Sequence, residues 1–420
     1  MKNYYTEFMK YVSNDISILI DKLISKSEEM NIKIYLTGGM VRDFFLNVET
    51  IDLDIVVDGD HLSFVEKIKN EILNNDFIKY SYNDKLMTAA FILEYCNLDV
   101  VQMRSEIYDK PGALPKVTPD SLFKDCHRRD FTINSLYFEL SRYQFKLIDM
   151  DEYLIDLDKK ILRVHHDNSF IDDPTRIFRA VKYLSRFNFK LDQDTLNLIK
   201  NALSNNCFTT ISKERLIKEF TLILKEKTHK VNVITLCKLG IDKAILGVKI
   251  NTNYDSYIDY NIDNEENNTL IHKFIELIYI NRKIISYDNL LKYTNNKRVI
   301  EFINLVYTMD QINTEIADLD NYELFSFISK LTKEEVRFLK VRGDSIINEK
   351  LCNWEKIRDY KVIYKGDYVK NMGISDGKAI GRVLRSYKNK VFEIILEGDT
   401  TVDEKLIIDE IIKQEKRNGI

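Results

Sequence analysis

IYLTGGMVRDFFLNVETIDLDIVV, residues 34–57, contains a Gly-Gly turn and, further on, a pair of aspartates. A short apolar run ends in Gly38-Gly39, and a helical pattern carrying Arg42 follows. Glycine lets a backbone approach a ligand closely, and a helix N-terminus favours anions, so this turn suits a phosphate group. A plain strand–helix turn is the alternative interpretation, and two glycines alone do not exclude it.

Asp52 and Asp54 alternate with Leu53, Ile55 and Val57 in the second apolar run. Side chains on a strand alternate between faces, so the two carboxylates should share one face while the apolar residues enter the core. Two carboxylates on one face repel each other unless a cation lies between them, and Mg²⁺ prefers oxygen ligands. The pair is a candidate site for two Mg²⁺ ions, and a solvent-facing strand is the alternative.

The first 140 residues mix short apolar runs with amphipathic segments, which predicts an α/β domain with a mixed sheet. We predict helices over residues 16–30 and 64–73, and strands over residues 34–37, 53–57, 88–93 and 98–103. Asp99, in the last strand, is either a third carboxylate of the site or a solvent-facing residue. The chain after Pro174 lacks proline and shows long apolar periodicities, which predicts a largely helical second half. The Asn-rich residues 251–268 are a candidate loop within it.

The overall composition is that of an ordinary globular protein, with 45% hydrophobic and 30% charged residues among 420. Such a length favours several domains. Five cysteines without a C-x-x-C pair predict reduced thiols and argue against a disulfide framework or a zinc site. No signal peptide and no apolar run of roughly 18 residues is evident, so we expect a cytoplasmic protein with no membrane partner. A nucleic-acid partner would need a local basic patch, because the net charge is −4.

A second motif, RRDFTINSL, occupies residues 128–136. Arg128 and Arg129 suit a triphosphate, whereas Asp130 and Asn134 suit the hydroxyls of a ribose. A charged helix start with Asp130 as its N-cap is the alternative interpretation.

The third motif, DDPTRIFRAVK, occupies residues 172–182, and Asp173 followed by Pro174 predicts a helix start. Asp173, Arg176 and Arg179 recur every third residue and should lie close together. Cytosine and adenine each present an amine donor beside a ring-nitrogen acceptor, which a carboxylate and an arginine can pair with. Asp173 and Arg176 are therefore candidate readers of C and A, and a solvated, capped helix is the alternative.

Taken together, the three motifs resemble the nucleotidyltransferase superfamily, in its class II tRNA nucleotidyltransferase and bacterial poly(A) polymerase branch. The resemblance implies an α/β head, a base-recognising neck, a helical body and a helical tail that binds tRNA. We place these four parts at residues 1–140, 141–205, 206–320 and 321–420.

The resemblance also assigns roles to individual residues. It implies that Asp52 and Asp54 bind Mg²⁺ and that Asp99 joins them in catalysis. The residues implied to bind the nucleotide are Gly39, Arg42, Arg128, Arg129, Asp130, Asn134, Asp173, Arg176, Arg179 and Lys182. Three positions depart from the usual pattern: Ser135 replaces Ala, Asp172 replaces Glu, and Lys182 stands where a third Arg is common. Residues 104–125 match the family's flexible loop, implicated in switching from C to A addition, and residues 211–216 resemble a further motif that opens a helix.

The implied activity is addition of CCA to the 3′ end of tRNA from CTP and ATP, with release of pyrophosphate. CC-only addition, A-only addition and poly(A) synthesis remain open, because C and A present the same amine donor beside a ring-nitrogen acceptor. A small-molecule nucleotidyltransferase would not need the long helical half. A non-catalytic RNA-binding scaffold is the alternative from another class, and the intact aspartate pair argues against it.

Overall fold

The computed structural model describes residues 2–252, 273, 276–292, 294, 296–398 and 401–418. The chain divides into two compact units, Met1–Thr252 and Asn253–Ile420. The four-part division, with boundaries after residues 140, 205 and 320, is finer than this and stays a prediction. Most of the Asn-rich candidate loop, residues 251–268, lies outside the described residues. Across the described ranges, no helix combines the length and the apolar character that crossing a membrane requires.

A mixed sheet forms the centre of the first unit. Its strands and those of two small ladders are, in chain order, β1 (Lys33–Thr37), β2 (Asp52–Asp58), β3 (Lys79–Asn83), β4 (Thr88–Ile92), β5 (Asn97–Gln102), β6 (Arg104–Ile107), β7 (Lys116–Pro119), β8 (Tyr137–Ser141), β9 (Gln144–Ile148), β10 (Ile161–Leu162) and β11 (Lys190–Leu191). Seven of them pair in the order β3-β4-β5-β2-β1-β8-β9. β2 and β5 run parallel, and the other neighbours are antiparallel, which confirms the predicted mixed sheet.

Helices cover this sheet and continue the first unit beyond it. They are α1 (Tyr5–Tyr11), α2 (Asn14–Glu29), α3 (Gly39–Leu46), α4 (His61–Lys67), α5 (Leu122–His127), α6 (Tyr153–Asp158), α7 (Ser169–Asp172), α8 (Arg176–Arg186), α9 (Gln193–Ser204), α10 (Lys213–Lys225), α11 (His229–Leu239) and α12 (Ile241–Leu246). Ser13 caps α2 by accepting from the Ile16 N–H, and the helix buries its apolar stripe, as the periodicity predicts.

β2 shows the predicted alternation and positions the candidate site. Leu53, Ile55 and Val57 are fully buried, whereas Asp52 is exposed and Asp54 is partly buried on the other face. A strand that is apolar on one side and carries carboxylates on the other places those carboxylates at a surface without weakening the core.

Three details of the first unit differ from the sequence prediction. Residues 104–125 are not a simple loop, because β6 and β7 form an antiparallel hairpin within them. The helix predicted to start at Pro174 starts at Arg176, because the Asp173 carboxylate accepts from the Thr175 N–H and closes a turn just before it. The helix predicted over residues 64–73 is α4 followed by a π-helical turn, Ile68–Ile72.

The second unit is helical wherever it is described with regular structure, which confirms the predicted helical half. Its bounded helices are Tyr287–Leu291, Lys297–Asp318, Asn321–Ile328, Lys333–Arg342, Ser345–Ile357, Gly366–Asn371, Gly377–Leu396 and Glu404–Asn418. Glu404 is buried among the last of these and accepts from the hydroxyls of Tyr360 and Tyr387 and from the Ile363 N–H. This carboxylate therefore joins the last helix to the segment before Gly366.

Candidate active site

The register of three strands brings the aspartates together. Asp54 lies opposite Thr37 of β1 on one side and opposite Asp99 of β5 on the other. Asp52 lies opposite Asn97, whose Nδ2 donates to Asp52 Oδ1 at 2.8 Å. Because β2 and β5 are parallel and in direct register, residues 52, 54 and 99 gather at the same end of both strands. The assignment of Asp99 as a third carboxylate stays a prediction, and this register supports it.

Negative charge accumulates at this end of the sheet. Burial and the neighbouring Asp99 raise the pKa of Asp54 to about 6, and Asp52 adds to the rise, although Arg129 opposes it. Burial and Asp52 likewise raise the pKa of Asp99. The carboxylates thus lack sufficient cationic compensation from the protein, which fits a cation at this point. Nowhere in the described residues do three or more metal-ligating side chains converge as a ready-made cage. Mg²⁺ commonly takes one or two carboxylates and completes its shell with water and substrate phosphate.

The Gly-Gly turn packs directly against Asp54. Gly38 has φ +70°, and a Cβ at this position would lie 2.5 Å from Asp54 Oδ2. The Gly39 N–H donates to the Asp54 carboxylate, which lowers its pKa and partly offsets the effect of burial. The close approach that the sequence attributes to a phosphate is thus made here to the carboxylate. The role of Gly39 in nucleotide binding stays a prediction.

Arg42 lies beneath the turn and is 4% exposed. Its Nε donates to Asp43 Oδ1 and its Nη1 to Asn134 Oδ1, both at 2.7 Å. The guanidinium also stacks against the rings of Tyr183 and Phe187. Arg42 therefore joins the first motif to the second and to α8, and its Nη2 lies beside Gly39.

Arg128 and Arg129 share one buried carboxylate, Asp125. Arg128 donates through Nε to Asp125 Oδ1 at 2.9 Å, and Arg129 donates through Nη2 to Oδ2 at 3.0 Å. Burial pushes the pKa of Asp125 up, but the two arginines outweigh it and hold the pKa at about 2. Arg128 also donates to Glu106 of β6, and Arg129 to the Tyr137 hydroxyl. The two arginines are thus held rigidly, with Arg129 close enough to Asp54 to lower its pKa.

Asp130 and Asn134 form a connected pair. Asn134 Nδ2 donates to Asp130 Oδ1 at 3.0 Å, and Arg179 Nε lies 2.7 Å from Asp130 Oδ2. Burial raises the pKa of Asp130, but Arg179 and Asn134 bring it below its ordinary value. Asn134 also donates to the Tyr183 hydroxyl on α8. The predicted ribose-reading pair is therefore joined to the third motif through Arg179.

The candidate base readers lie at the start of α8. Arg176 is 5% exposed and donates through Nη1 to Ser169 Oγ and through Nη2 to the Arg128 carbonyl, both at 2.7 Å. The described residues supply acceptors for two of its five N–H groups, so the other three are candidates to bind another acceptor. Lys182 lies close to α10, with Nζ 3.9 Å from Glu219 Oε2, and burial lowers its pKa, with Arg179 adding to the effect. Its role in nucleotide binding stays a prediction.

Sequence reasoning missed the residues that support this site. Glu106, Asp125 and Tyr137 fix the arginine pair, and Tyr183 packs on Arg42. Asp125 carries a local signal, because it precedes Arg128 and Arg129 by one helical turn. Tyr183 carries one too, because it follows Arg179 by one helical turn and hydrogen-bonds with it. Glu106 carries none, since it meets the arginine pair only through the fold.

Comparison with known proteins shows which proteins this chain is similar to. Residues 34–163 match the poly A polymerase head domain. The A-adding tRNA nucleotidyltransferase of Geobacter sulfurreducens is 37% identical over 220 residues, which cover 52% of this chain and 24% of that protein. The A-adding tRNA nucleotidyltransferase of Halalkalibacterium halodurans is 33% identical over 272 residues, which cover 63% of this chain and 61% of that protein. The matched part of the chain spans less than two thirds of either relative. The solved complex of a CCA-adding enzyme with CTP has a TM-score of 0.72 and 25% identity, covering 98% of both chains.

The mixed sheet, its adjacent strand aspartates and the Gly-Gly turn lie within the part of the first unit that matches the head domain. The three motifs occur in order along the chain, the first two inside the matched residues and the third after them. The predicted resemblance to the class II tRNA nucleotidyltransferase and poly(A) polymerase family is thereby confirmed.

Proposed function

We propose that this protein completes the CCA end of tRNA, adding nucleotides from CTP and ATP to the 3′ hydroxyl and releasing pyrophosphate. The observation that carries the proposal is the convergence of the three motifs. Arg42 contacts Asn134, Asn134 contacts Asp130, and Arg179 of α8 pairs with that same aspartate. Arg176 of α8 contacts the Arg128 carbonyl. One continuous network thus joins the carboxylate end of the sheet to the candidate base readers.

The carboxylates would hold divalent ions. Asp52 and Asp54 are the proposed Mg²⁺ ligands, and burial together with the neighbouring Asp99 raises the pKa of Asp54, as expected of a carboxylate that a cation would stabilise. Bound Mg²⁺ supplies Lewis-acid activation of the attacking hydroxyl and charge for the leaving pyrophosphate. The oxygen of the RNA 3′ hydroxyl forms a bond to the α-phosphorus as the bond to pyrophosphate breaks. Arg129 Nη1 and Arg42 Nη2 are the guanidinium nitrogens that we propose face the triphosphate.

Base choice would rest on hydrogen bonding. Asp173 accepts from the exocyclic amine of C or A, and Arg176 donates to the adjacent ring nitrogen. Uracil and guanine present a carbonyl acceptor in place of the amine and a ring N–H donor in place of the acceptor nitrogen. They would leave buried polar groups unpaired, and a site built for hydrogen bonding rejects such bases strongly. The low exposure of Arg176 supports this role, because a buried guanidinium discriminates better than a solvated one.

The RNA would bind mainly through phosphate contacts and shape. The net charge of −4 requires a local basic surface. Several exposed lysines on and beside helix Gly366–Asn371 of the second unit have no ion pair with any described residue and are candidates for such a surface. They are Lys361, Lys365, Lys370 and Lys378. We propose that this lysine group contacts tRNA, and we place the protein in the cytoplasm.

The test is single-nucleotide extension of tRNAs that lack one, two or all three terminal nucleotides, with CTP and ATP supplied separately. Full CCA synthesis requires C addition to the two shorter substrates and A addition to the longest. Asp52→Ala combined with Asp54→Ala should abolish extension without lowering the melting temperature and should leave tRNA binding intact. Extension that persists in the double variant would refute the mechanism. Repeated A addition to any RNA would identify a poly(A) polymerase, and the absence of all extension would favour a binding scaffold.

A-only addition is the second candidate, because both curated relatives described above are A-adding enzymes. In the same assay, such an enzyme extends only the tRNA that lacks one nucleotide, and only with ATP. CTP incorporation into the shorter tRNAs separates the two candidates.

A further inference from the structure

Arg215, at the start of α10, joins two parts of the candidate site that lie far apart in the sequence. Its Nη2 donates to Asp173 Oδ1 at 3.1 Å, and its Nη1 donates to the Gly112 carbonyl at 2.7 Å. Asp173 is the proposed base-reading carboxylate, and Gly112 lies in the turn between β6 and β7. The planar guanidinium can hold two acceptors in a fixed geometry, so it ties both groups together.

The two carboxylate oxygens of Asp173 differ in their hydrogen-bond partners. Oδ1 accepts from Arg215, from the Thr175 N–H at 3.1 Å and from the Thr175 hydroxyl at 2.7 Å. No residue in the described part of the chain donates a hydrogen bond to Oδ2. A carboxylate held by three donors on one oxygen has a fixed plane, and its second oxygen keeps its acceptor capacity. Oδ2 is therefore the oxygen available to the amine of a base.

Gly112 is docked on the segment that leads into Asp173. Its N–H donates to the carbonyls of both Ile171 and Asp172 at 3.2 Å. Its φ is +68°, and a Cβ here would lie 2.4 Å from Thr210 Oγ1. The hairpin turn is thus packed closely against the neck at this glycine. Arg215 contacts both the hairpin turn and the Asp173 carboxylate, so one guanidinium joins the two.

We propose that Arg215 is a positioning residue for base selection, an inference that rests on the proposed function. It fixes the plane of the Asp173 carboxylate, so that Oδ2 faces the base, and couples that orientation to the docked hairpin. Without Arg215, the carboxylate can rotate and its selectivity for an amine donor weakens. Uridine and guanosine nucleotides then compete better with cytidine and adenosine nucleotides.

The experiment compares Arg215→Gln and Arg215→Lys with wild type in the full chain. The kcat/KM values for CTP, ATP, UTP and GTP are measured on tRNAs that lack terminal nucleotides. One charge-assisted hydrogen bond corresponds to roughly tenfold, so R215Q should lower the CTP-to-UTP ratio of kcat/KM by about that factor. R215K should lie between R215Q and wild type, because an ammonium keeps the charge but cannot hold both acceptors in the fork geometry.

Arg163→Gln is the matched control. Arg163 also bridges two acceptors, Asp156 and Asp192, each at 3.0 Å, but it makes no contact with Asp173. This control should keep the wild-type ratio even where it lowers the melting temperature. If R215Q lowers kcat/KM equally for all four nucleotides, as a general loss of stability would, Arg215 is only structural and the inference is wrong.

Nucleotide dissociation constants measured by calorimetry without tRNA separate this inference from the proposed function. Wild type that extends no tRNA but binds CTP and ATP more tightly than UTP and GTP would refute the activity alone. In that case, a smaller difference between the Kd values of CTP and ATP and those of UTP and GTP in R215Q than in wild type still supports the role of Arg215 in positioning Asp173. Equal binding of all four nucleotides by wild type, or an unchanged Kd difference in R215Q, would overturn the role of Arg215.

Discussion

Replacing Gly38 with alanine tests whether the Gly-Gly turn positions Asp54. The backbone at Gly38 has φ +70° and ψ −139°, a region that costs a non-glycine residue about 1–3 kcal/mol. The added Cβ would lie 2.5 Å from Asp54 Oδ2, whereas ordinary contact begins at 3.4 Å, so the carboxylate must move by roughly 1 Å. A misplacement of about 1 Å costs on the order of 10²-fold in rate. We therefore expect Gly38→Ala to lose both stability and nucleotide incorporation.

Thermal unfolding and single-nucleotide extension measure the two losses separately. A domain of this size loses about 2–4 °C per kcal/mol, which predicts a melting temperature lower by about 2–12 °C. Gly39→Ala is the control for stability, because its Cβ would meet only Arg42 Nη2, at an ordinary 3.5 Å. It should unfold at the wild-type temperature. A Gly38→Ala protein with wild-type melting and at least half of the wild-type extension rate would refute the reasoning.

Three further substitutions probe the charges. Asp54→Asn should be more stable than wild type at pH 8 without divalent ions, by on the order of 2 kcal/mol in urea unfolding. The folded-state pKa is raised to about 6, so wild-type stability falls as pH rises from about 4 to about 6 and is level above that, and the advantage of Asp54→Asn should vanish below about pH 4. Asp125→Ala leaves Arg128 and Arg129 without their shared partner and should cost about 3–5 kcal/mol. Because the Asp125 pKa is about 2, its stabilising effect in wild type should disappear as pH falls from about 4 toward 2, and equal stability of the two proteins at pH 7 would contradict this. Glu404→Ala removes the acceptor of three donors and should cost about 2–4 kcal/mol, seen by hydrogen exchange as faster opening of the second unit alone.

The sequence predicted those elements whose periodicity is strong. β2 alternates apolar and acidic residues, and α2 repeats its apolar stripe over four turns, so both are evident without the structure. β3 is an edge strand with alternately exposed and partly buried side chains, and its sequence, KYSYN, has little apolar content. β9 at the other edge and β8 beside it were also missed, although their sequences, QFKLI and YFELS, contain apolar residues. Such strands depend on pairing with a neighbour more than on their own pattern.

The residues of the candidate site also differ in whether the sequence alone could predict them. Residues within each motif could be predicted because their chemistry and spacing are local. Arg215 contacts partners 42 and 103 positions away, and Glu106 reaches Arg128 across 22 positions. Contacts of that range depend on how β6, α8 and α10 pack, which no short pattern encodes. Sequence reasoning therefore proposed the groups that would touch a nucleotide, and it missed those that hold them in place.

The structure also changes the interpretation of the charge that the motif arginines contribute to the site. Their number in the motifs suggests a strongly positive triphosphate site, yet four of the five have a carboxylate within 3.0 Å, Arg176 being the exception. The pairs are Arg42 with Asp43, Arg128 and Arg129 with Asp125, and Arg179 with Asp130. After this pairing, the carboxylates of β2 and β5 leave the site negative, and a triphosphate adds further negative charge. Because most of the arginines are already paired with carboxylates, the proposed function requires that most of the positive charge for nucleotide binding come from divalent ions. We therefore expect the arginines mainly to fix the geometry in which nucleotide and ions bind.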